Sequence, residues 1–347
     1  MANPLPSEFA EFAKVVEGKR ARVLVTGGVG FIGQHVCSAL HRLGLQVWYT
    51  HRSARAPPKS TSLQGCLPLA MDLEITESIE EAVRQAIPDI VVHCANMRGG
   101  ASEADPSISE KPNLRGSEHL LDALDTFVGL GKYCFSFFST DIVYAGEQVP
   151  GTPLEENLAE FRPLSVYAMH KLEVERLIMT RVPNYCIFRG PFVYGLPADH
   201  PADQAISGKG FFLDLLSKLK TGKTAELFVD EWRTPCFIHD LLDIVVRATF
   251  KFTAHPAAGG SRIFNLTSGH TLTRLEFGMA VCEAFSFDQN LLKPFALFTN
   301  EMKVQGMQRK TIPAVVLSTK IIRDELQVMG HTVHEALASL AKIYHAL

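Results

Sequence analysis

Tyr167 and Lys171 stand four residues apart in Ser165-Val166-Tyr167-Ala168-Met169-His170-Lys171, inside a helical pattern. Spacing of i, i+4 puts both on one helix face. A free phenol has a pKa of about 10 and transfers protons poorly at neutral pH. An ammonium beside it favours the phenolate and lowers that pKa, which makes the pair a candidate acid–base device. By itself such a pair also describes an ordinary helix surface, so its weight depends on what accompanies it. Upstream, Thr140 and Asp141 end the apolar run Phe137-Phe138-Ser139. Hydroxyls at the carboxyl end of a strand in an open α/β sheet face the ligand crevice, and Thr140 is the one assigned to a substrate carbonyl. Alternatively, Ser139 and Thr140 satisfy backbone groups where the strand turns into a loop.

Residues 22 to 33 read Arg-Val-Leu-Val-Thr-Gly-Gly-Val-Gly-Phe-Ile-Gly. Gly27, Gly30 and Gly33 recur every third residue directly after a β-branched run. A strand, a tight turn and a helix start in that order bring backbone N–H groups against a pyrophosphate. Gly27 permits the turn, Gly30 lets phosphate approach, and Gly33 lets the helix pack close to the strand. Glycines also serve plain turns, so the strand context carries the reading. Phe31 and Ile32, which open the helix, join the expected cofactor contacts.

The end of the second strand decides which dinucleotide fits. An acid there favours a free 2′-hydroxyl and a cation favours a 2′-phosphate. The segment Thr50-His51-Arg52-Ser53-Ala54-Arg55 holds no Asp or Glu. Arg52 would bind the phosphate through charge-assisted hydrogen bonds, with the Ser53 hydroxyl beside it. The expected cofactor is therefore NADP(H) in preference to NAD(H), with NAD(H) still able to bind. A solvated basic loop is the other reading. Asp72 is placed to meet adenine, or else to cap the helix starting near Thr76. Leu73, Cys94, Ala95 and Asn96 complete the set, together with Tyr167 and Lys171.

The elements that must position these groups are legible in the apolar pattern. Short runs at Val23–Thr26, Gln46–Thr50, Leu67–Ala70, Ile90–Cys94 and Tyr133–Ser139 alternate with helical patterns near 31–43, 76–87 and 114–130. A helix over about 163–182 then precedes a strand at Tyr185–Phe188. This alternation predicts an α/β fold with a Rossmann-type doubly wound parallel sheet, covered on both faces. The dinucleotide-binding domain is expected over 21–191. Beyond Phe192 the rhythm loosens, with helices near 211–221, 239–252, 273–286 and 332–345 and strands near 225–229 and 262–266. Residues 192–347 are expected to form mainly a smaller α/β substrate lobe, with some segments returning to the main sheet. The Gly/Ser/Pro-rich stretch 97–112 reads as a mobile loop beside the site.

The 347 residues are 46% hydrophobic and 20% charged, with a formal net charge of −3. Such a chain can bury a large core in one large or two smaller domains. It offers no basic field for nucleic acid, and no apolar run nears the ~20 residues that cross a bilayer. Residues 1–20 carry Glu8, Glu11 and Glu17 and read as an N-terminal extension, not a signal peptide. The seven cysteines are scattered, with no CxxC pair and no His/Cys cluster. Reduced thiols in the cytoplasm, and no metal, are the expectation.

The segments Thr26–Gly33, Ser139–Tyr144 and Tyr167–Lys171 together resemble the extended short-chain dehydrogenases/reductases. Asn113-Leu114-Arg115-Gly116 is similar to that family's central-helix Asn-x-x-Gly, and Arg189–Gly195 to its post-strand segment. Arg233-Thr234-Pro235, His239-Asp240-Leu241 and Leu275-Glu276-Phe277 are similar to the dTDP-4-dehydrorhamnose reductase subgroup. That subgroup includes the regulatory β subunits of methionine adenosyltransferase as eukaryotic relatives. The resemblance spans about residues 20 to 345. It implies Tyr167 as proton donor, Lys171 on the nicotinamide ribose and Thr140 on the substrate carbonyl. It also implies Asn113 at the cofactor and Asp141, Phe192 and Arg233 at the substrate.

The implied activity is NADPH-dependent reduction of a keto group on a nucleotide sugar. Two other readings stay open: a nucleotide-binding regulatory subunit with a partner enzyme, and an NAD-dependent nucleotide-sugar epimerase. Asp141-Ile142 lacks the second carboxylate that the family's dehydratases carry, which argues against dehydration. Rhamnose-type reductases carry an aromatic at the position of Ile142 and a Trp at that of Phe192, so the deoxysugar is left open. His200, Lys209, Arg233 and His239 are either contacts to a substrate phosphate or exposed loop residues. By analogy with the family, the helices near 114–130 and 163–182 would form a homodimer seam.

Overall fold

Short β-branched and aromatic runs can bury both faces, and in this chain they do so side by side. The computed structural model describes residues 21–52, 60–97, 105–145, 150–157, 160–199, 210–254, 262–296 and 313–346. The main sheet holds β1 (Arg22–Thr26), β2 (Gln46–His51), β3 (Leu67–Ala70), β4 (Ile90–His93), β5 (Cys134–Phe138), β6 (Tyr185–Arg189) and a last strand, Ile263–Asn265. Their spatial order is Ile263–Asn265, β6, β5, β4, β1, β2, β3. The pairs from β3 to β6 are parallel, with Val23 opposite Val47 on one side and Ile90 on the other. The chain runs outward from β1 to β3 and then crosses back to β4. Strand order therefore reverses at β1, the place where open α/β sheets bind ligands.

The helices that cover this sheet are α1 (Phe31–Arg42), α2 (Thr76–Ala86), α3 (Gly116–Phe127) and α4 (Val166–Arg181). Ile79 and Val83 of α2, Leu120 and Leu124 of α3, and Val174 and Ile178 of α4 pack with Leu24, Val91, Phe135 and Phe137 in one buried cluster. The stretch expected to be a loop over 97–112 is helical from Ser107, and residues 98–104 lie outside the described residues. Asp105 explains the start, since its carboxylate accepts from the Ser107 N–H at 3.0 Å and hydroxyl at 2.7 Å, with Pro106 opening the turn. Residues Glu110–Arg115 then form a π-helical stretch leading into α3, a geometry common where a helix serves a site.

The chain divides into two compact units. The first holds the described residues up to Ser139, with Val166–Phe188 and Leu242–Phe264; the second holds Thr140–Ser165, Arg189–Leu241 and the residues from Asn265. Residues 242–264 thus group with the first unit, as a segment returning to the main sheet layer, while Thr140–Ser165, inside the expected 21–191 domain, group with the second. The expected extension over 1–20 lies outside the described residues.

The second unit contains α5 (Phe211–Lys220), α7 (Arg274–Phe285), α8 (Lys320–Leu326) and α9 (Val333–Ala346), while α6 (Ile238–Ala254) passes from it into the first. Phe192, Tyr194, Phe211, Phe212, Phe277 and Phe285 form its aromatic core, with ring centroids 5.2–6.2 Å apart. Among the described residues no helix is long and apolar enough to cross a membrane.

Glu156 is buried in the second unit. Its Oε1 accepts from Asn265 N at 2.8 Å, while its Oε2 has no hydrogen-bond partner. Burial pushes its pKa up to about 7. A carboxyl raised in the fold stabilises in its protonated form, so stability falls as pH climbs from the ordinary value towards 7. Glu156→Gln is expected to gain on the order of 2 kcal/mol over the wild type at pH 8 and to lose that advantage near pH 5. Thermal unfolding of both proteins across that range checks it, and a pH-independent difference would contradict it.

Candidate active site

β1 ends in a turn where Gly27, Gly28 and Gly33 leave no room for a side chain. Gly27 has φ +65°, and a Cβ there would stand 2.8 Å from Ala95 Cα. A Cβ at Gly28 would run into Tyr49, and one at Gly33 into Gly27 O and, at 2.7 Å, Gly28 Cα. Gly30 differs, since a Cβ there meets only Gly27 O at 3.1 Å. The turn is fastened to β2 by bonds from Gly27 N to Thr50 Oγ1 (3.0 Å) and from Gly28 N to Thr50 O (3.1 Å). Helix α1 follows with no side-chain cap and no acid in its first turn. Its first N–H groups therefore lack a side-chain partner, which suits an anion. The cradle at Gly30 and this uncapped helix fit a pyrophosphate, and Phe31 and Ile32 are half-buried at the helix start.

Arg52 ends β2 already engaged. Its Nε lies 2.9 Å from Asp72 and its Nη2 2.7 Å from Glu74, with the guanidinium side chain 62% exposed. Asp72 also accepts from Glu74 N at 3.0 Å, so its carboxylate serves the turn and Arg52. Ser53 lies outside the described residues. Exposed ion pairs contribute only ~0.2–1 kcal/mol each, so a phosphate can displace them. Glu74 was not singled out in the sequence, because nothing in its spacing ties it to Arg52.

Beyond β4, a directional chain of hydrogen bonds holds the site floor. Thr26 Oγ1 accepts from Ala95 N (3.1 Å) and lies 2.6 Å from His93 Nδ1, to which it donates because the other end of the chain fixes the ring proton on Nε2. His93 Nε2 then donates to Ser117 Oγ (3.0 Å), which donates to Asn113 O (2.6 Å). This places the ring proton on Nε2, and burial drives the His93 pKa down to about 3. Asn113 clamps Met97 with both ends of its amide, at 2.7 and 2.8 Å. Cys94 and Ala95 are half-buried, Asn96 is exposed, and Leu73 is a core residue.

Tyr167 and Lys171 do share the inner face of α4. Tyr167 is half-buried and Lys171 is 2% exposed. The ammonium nitrogen lies 5.9 Å from the Tyr167 ring centroid and 4.5 Å from that of Phe137, and it donates to Phe138 O at 2.7 Å. Burial lowers the Lys171 pKa to about 7. A proton can thus sit on or leave this amine near neutrality.

Thr140 opens the second unit, where its hydroxyl donates to Asp141 Oδ1 at 3.3 Å. Asp141 is buried, its Oδ2 has no hydrogen-bond partner, and burial raises its pKa to about 6 despite the Arg233 Nε 3.7 Å away. Arg233, expected at the substrate, is committed to Trp232 O (2.7 Å), Pro313 O (3.2 Å) and Glu231 (3.2 Å). Phe192 meets Arg274, whose guanidinium stacks 4.1 Å over its ring and bonds Glu231 at 2.7 Å. Sequence reasoning missed Glu231 and Arg274, which no motif marks. A cavity of about 420 Å³ in this unit is lined by Phe211, Lys218, Glu226, Phe228, Glu231 and Arg274, among others. His239 lies edge-on to Phe237, 4.9 Å between centroids, and His200 and Lys209 are outside the described residues.

A parallel sheet reversing at β1, a glycine cradle under an uncapped helix and a Tyr-x-x-x-Lys face define an extended short-chain dehydrogenase/reductase. The chain belongs to the RmlD substrate binding domain family, whose model matches residues 21–344. It is 24% identical over 294 residues to methionine adenosyltransferase 2 subunit beta of Mus musculus, covering 83% of this chain and 78% of that one. It is 27% identical over 317 residues to the "Probable low-salt glycan biosynthesis reductase" of Haloferax volcanii, covering 91% and 96%. Two solved structures share the fold. A Thermotoga maritima UDP-glucose 4-epimerase with UDP-glucose has TM-score 0.75 at 21% identity, covering 93% of this chain and 98% of that one. A Bacillus anthracis dTDP-4-dehydrorhamnose reductase with NADP has TM-score 0.71 at 16% identity, covering 92% and 98%.

Proposed function

We propose that this chain is an NADPH-dependent reductase of a keto group on a nucleotide sugar. The observation that carries the reading is a buried lysine beside a half-buried tyrosine on α4, in the unit that holds the glycine cradle. The backbone around Gly27, Gly30 and Gly33 would hold the pyrophosphate, and Arg52 the 2′-phosphate after leaving Asp72 and Glu74. When bound, the reduced nicotinamide supplies hydride. Tyr167 gives its phenolic proton to the keto oxygen. Lys171, when protonated, stabilises the phenolate left behind. Thr140 donates a hydrogen bond that orients the carbonyl.

Incubation with NADPH and a panel of 4-keto nucleotide sugars, followed by loss of nicotinamide absorbance, tests the reading. Turnover on at least one sugar is expected; none on any would overturn it. The likeness to methionine adenosyltransferase 2 subunit beta supports a second reading, a nucleotide-binding subunit that regulates a partner enzyme. Nucleotide binding without turnover, together with a stable complex with a methionine adenosyltransferase catalytic subunit, would favour it.

The carboxylates around Arg52 bear on cofactor choice. Two of them on one guanidinium leave a net negative charge where a 2′-phosphate would come. Glu74→Gln is expected to tighten NADPH about two- to fivefold and leave NADH unchanged. Calorimetric titration with both nucleotides checks this, and an equal change for both would take Arg52 out of the phosphate role.

A further inference from the structure

Helix α4 carries a third polar residue on the line of Tyr167 and Lys171. Glu175 follows Lys171 by four residues and is 0% exposed. A carboxylate with no water around it is costly unless it is hydrogen-bonded or paired. Glu175 Oε1 accepts a short hydrogen bond from Ser139 Oγ. One residue earlier, Phe138 O accepts from Lys171 Nζ at 2.7 Å. Two side chains one helical turn apart therefore grip two successive residues at the end of β5. Thr140 is the next residue along the chain.

The groups that face Lys171 come from three elements. At the end of β4 stand His93 and Cys94; on β5 lie the Phe137 ring and the Phe138 carbonyl; on α4 are Tyr167 and Glu175. His93 is neutral near pH 7, because burial holds its pKa at about 3. Burial pushes the Cys94 thiol far up, so it too is uncharged there. A protonated thiol exerts no ionic pull, which leaves the carboxylate of Glu175 as the attraction for the buried ammonium.

We propose that Glu175 is a positioning residue: buried one helical turn from Lys171, its carboxylate supplies the charge that favours the ammonium beside Tyr167, and through Ser139 it fixes the strand end that leads into Thr140. The consequence for catalysis rests on the reductase reading, but the charge relation between Glu175 and Lys171 does not. At neutral pH, burial alone would leave the amine uncharged and the phenolate unsupported. Glutamine at 175 keeps the shape and the acceptor for Ser139 while removing the charge.

The test is a titration of the Lys171 side chain by carbon NMR of lysine labelled at Cε, with Lys171→Met to assign the signal. It is run on the full chain without nucleotide. In Glu175→Gln the midpoint is expected to move down by about 1 pH unit or more, and Glu175→Asp to restore part of the loss. With a ketone substrate, kcat at pH 7 should fall about tenfold and recover towards lower pH, with little change in KM. An unmoved midpoint in a folded Glu175→Gln protein overturns the proposal, whatever the turnover. Should that variant not fold, Glu175→Met, uncharged and of similar volume, takes its place: the midpoint must again fall, and an unmoved midpoint overturns the proposal. No turnover on any ketone beside a shifted midpoint would sink the reductase reading and leave the Glu175–Lys171 relation standing.

Discussion

Replacing Tyr167 by phenylalanine is expected to cut turnover by ~10²–10⁴, the range that loss of a positioned general acid produces. The substitution keeps the ring, so the packing of α4 is retained and only the hydroxyl is lost. Nucleotide affinity should stay within about twofold, because a group needed only when the proton moves contributes little to the ground state. The lysine sharpens this expectation. Lys171 is held by Phe138 O and lies 5.9 Å from the phenol ring centroid, so its ammonium can act on the phenolate only while Tyr167 carries oxygen. Steady-state rates and a binding titration on the same preparation check both halves. Wild-type turnover in Tyr167→Phe would remove the phenol from the chemistry.

The second large effect separates two glycines three residues apart. Gly33→Ala forces a methyl against Gly27 O and to 2.7 Å from Gly28 Cα. Backbone cannot swing away as a side-chain tip can, so the turn must open, at a cost of about 2–3 kcal/mol. Gly30→Ala meets only Gly27 O at 3.1 Å, and its extended φ of −77° suits alanine. That variant is expected to melt within a degree or two of the wild type. Its methyl stands in the phosphate cradle, however, so NADPH should bind at least tenfold more weakly. Thermal melting with nucleotide titration distinguishes the two. A stable Gly33→Ala, or a Gly30→Ala that binds normally, would contradict the assigned roles.

All three substitutions rest on features legible in the amino-acid sequence. The β-branched run before Gly27 and the i, i+4 pair at Tyr167 and Lys171 are local, and local pattern decides strand, turn and helix face. The seven-stranded sheet follows from the same runs, and most expected elements lie within a residue or two of the observed ones. What was illegible is what depends on distant partners. Arg52 meets Glu74 from the next strand's loop, Glu175 meets Ser139 across 36 residues, and Arg233 turns to the Pro313 carbonyl 80 residues away. No spacing rule reports such contacts. The Asp105-Pro106-Ser107 helix start was readable in principle, yet the Gly/Ser-rich residues before it masked it. The interleaving of the two units was legible in part: a return of later segments to the main sheet is expected from the sequence, but the grouping of Thr140–Ser165 with the second unit is not, because that stretch lies between two strands of the main sheet.

The most direct measurement follows the label from NADPH deuterated at the nicotinamide C4 into a 4-keto nucleotide sugar. The account predicts deuterium on the new carbinol carbon, with the transfer lost in Tyr167→Phe. Recovery of unlabelled ketone and unconsumed coenzyme across the sugar panel, from a protein that binds the nucleotide, would contradict it.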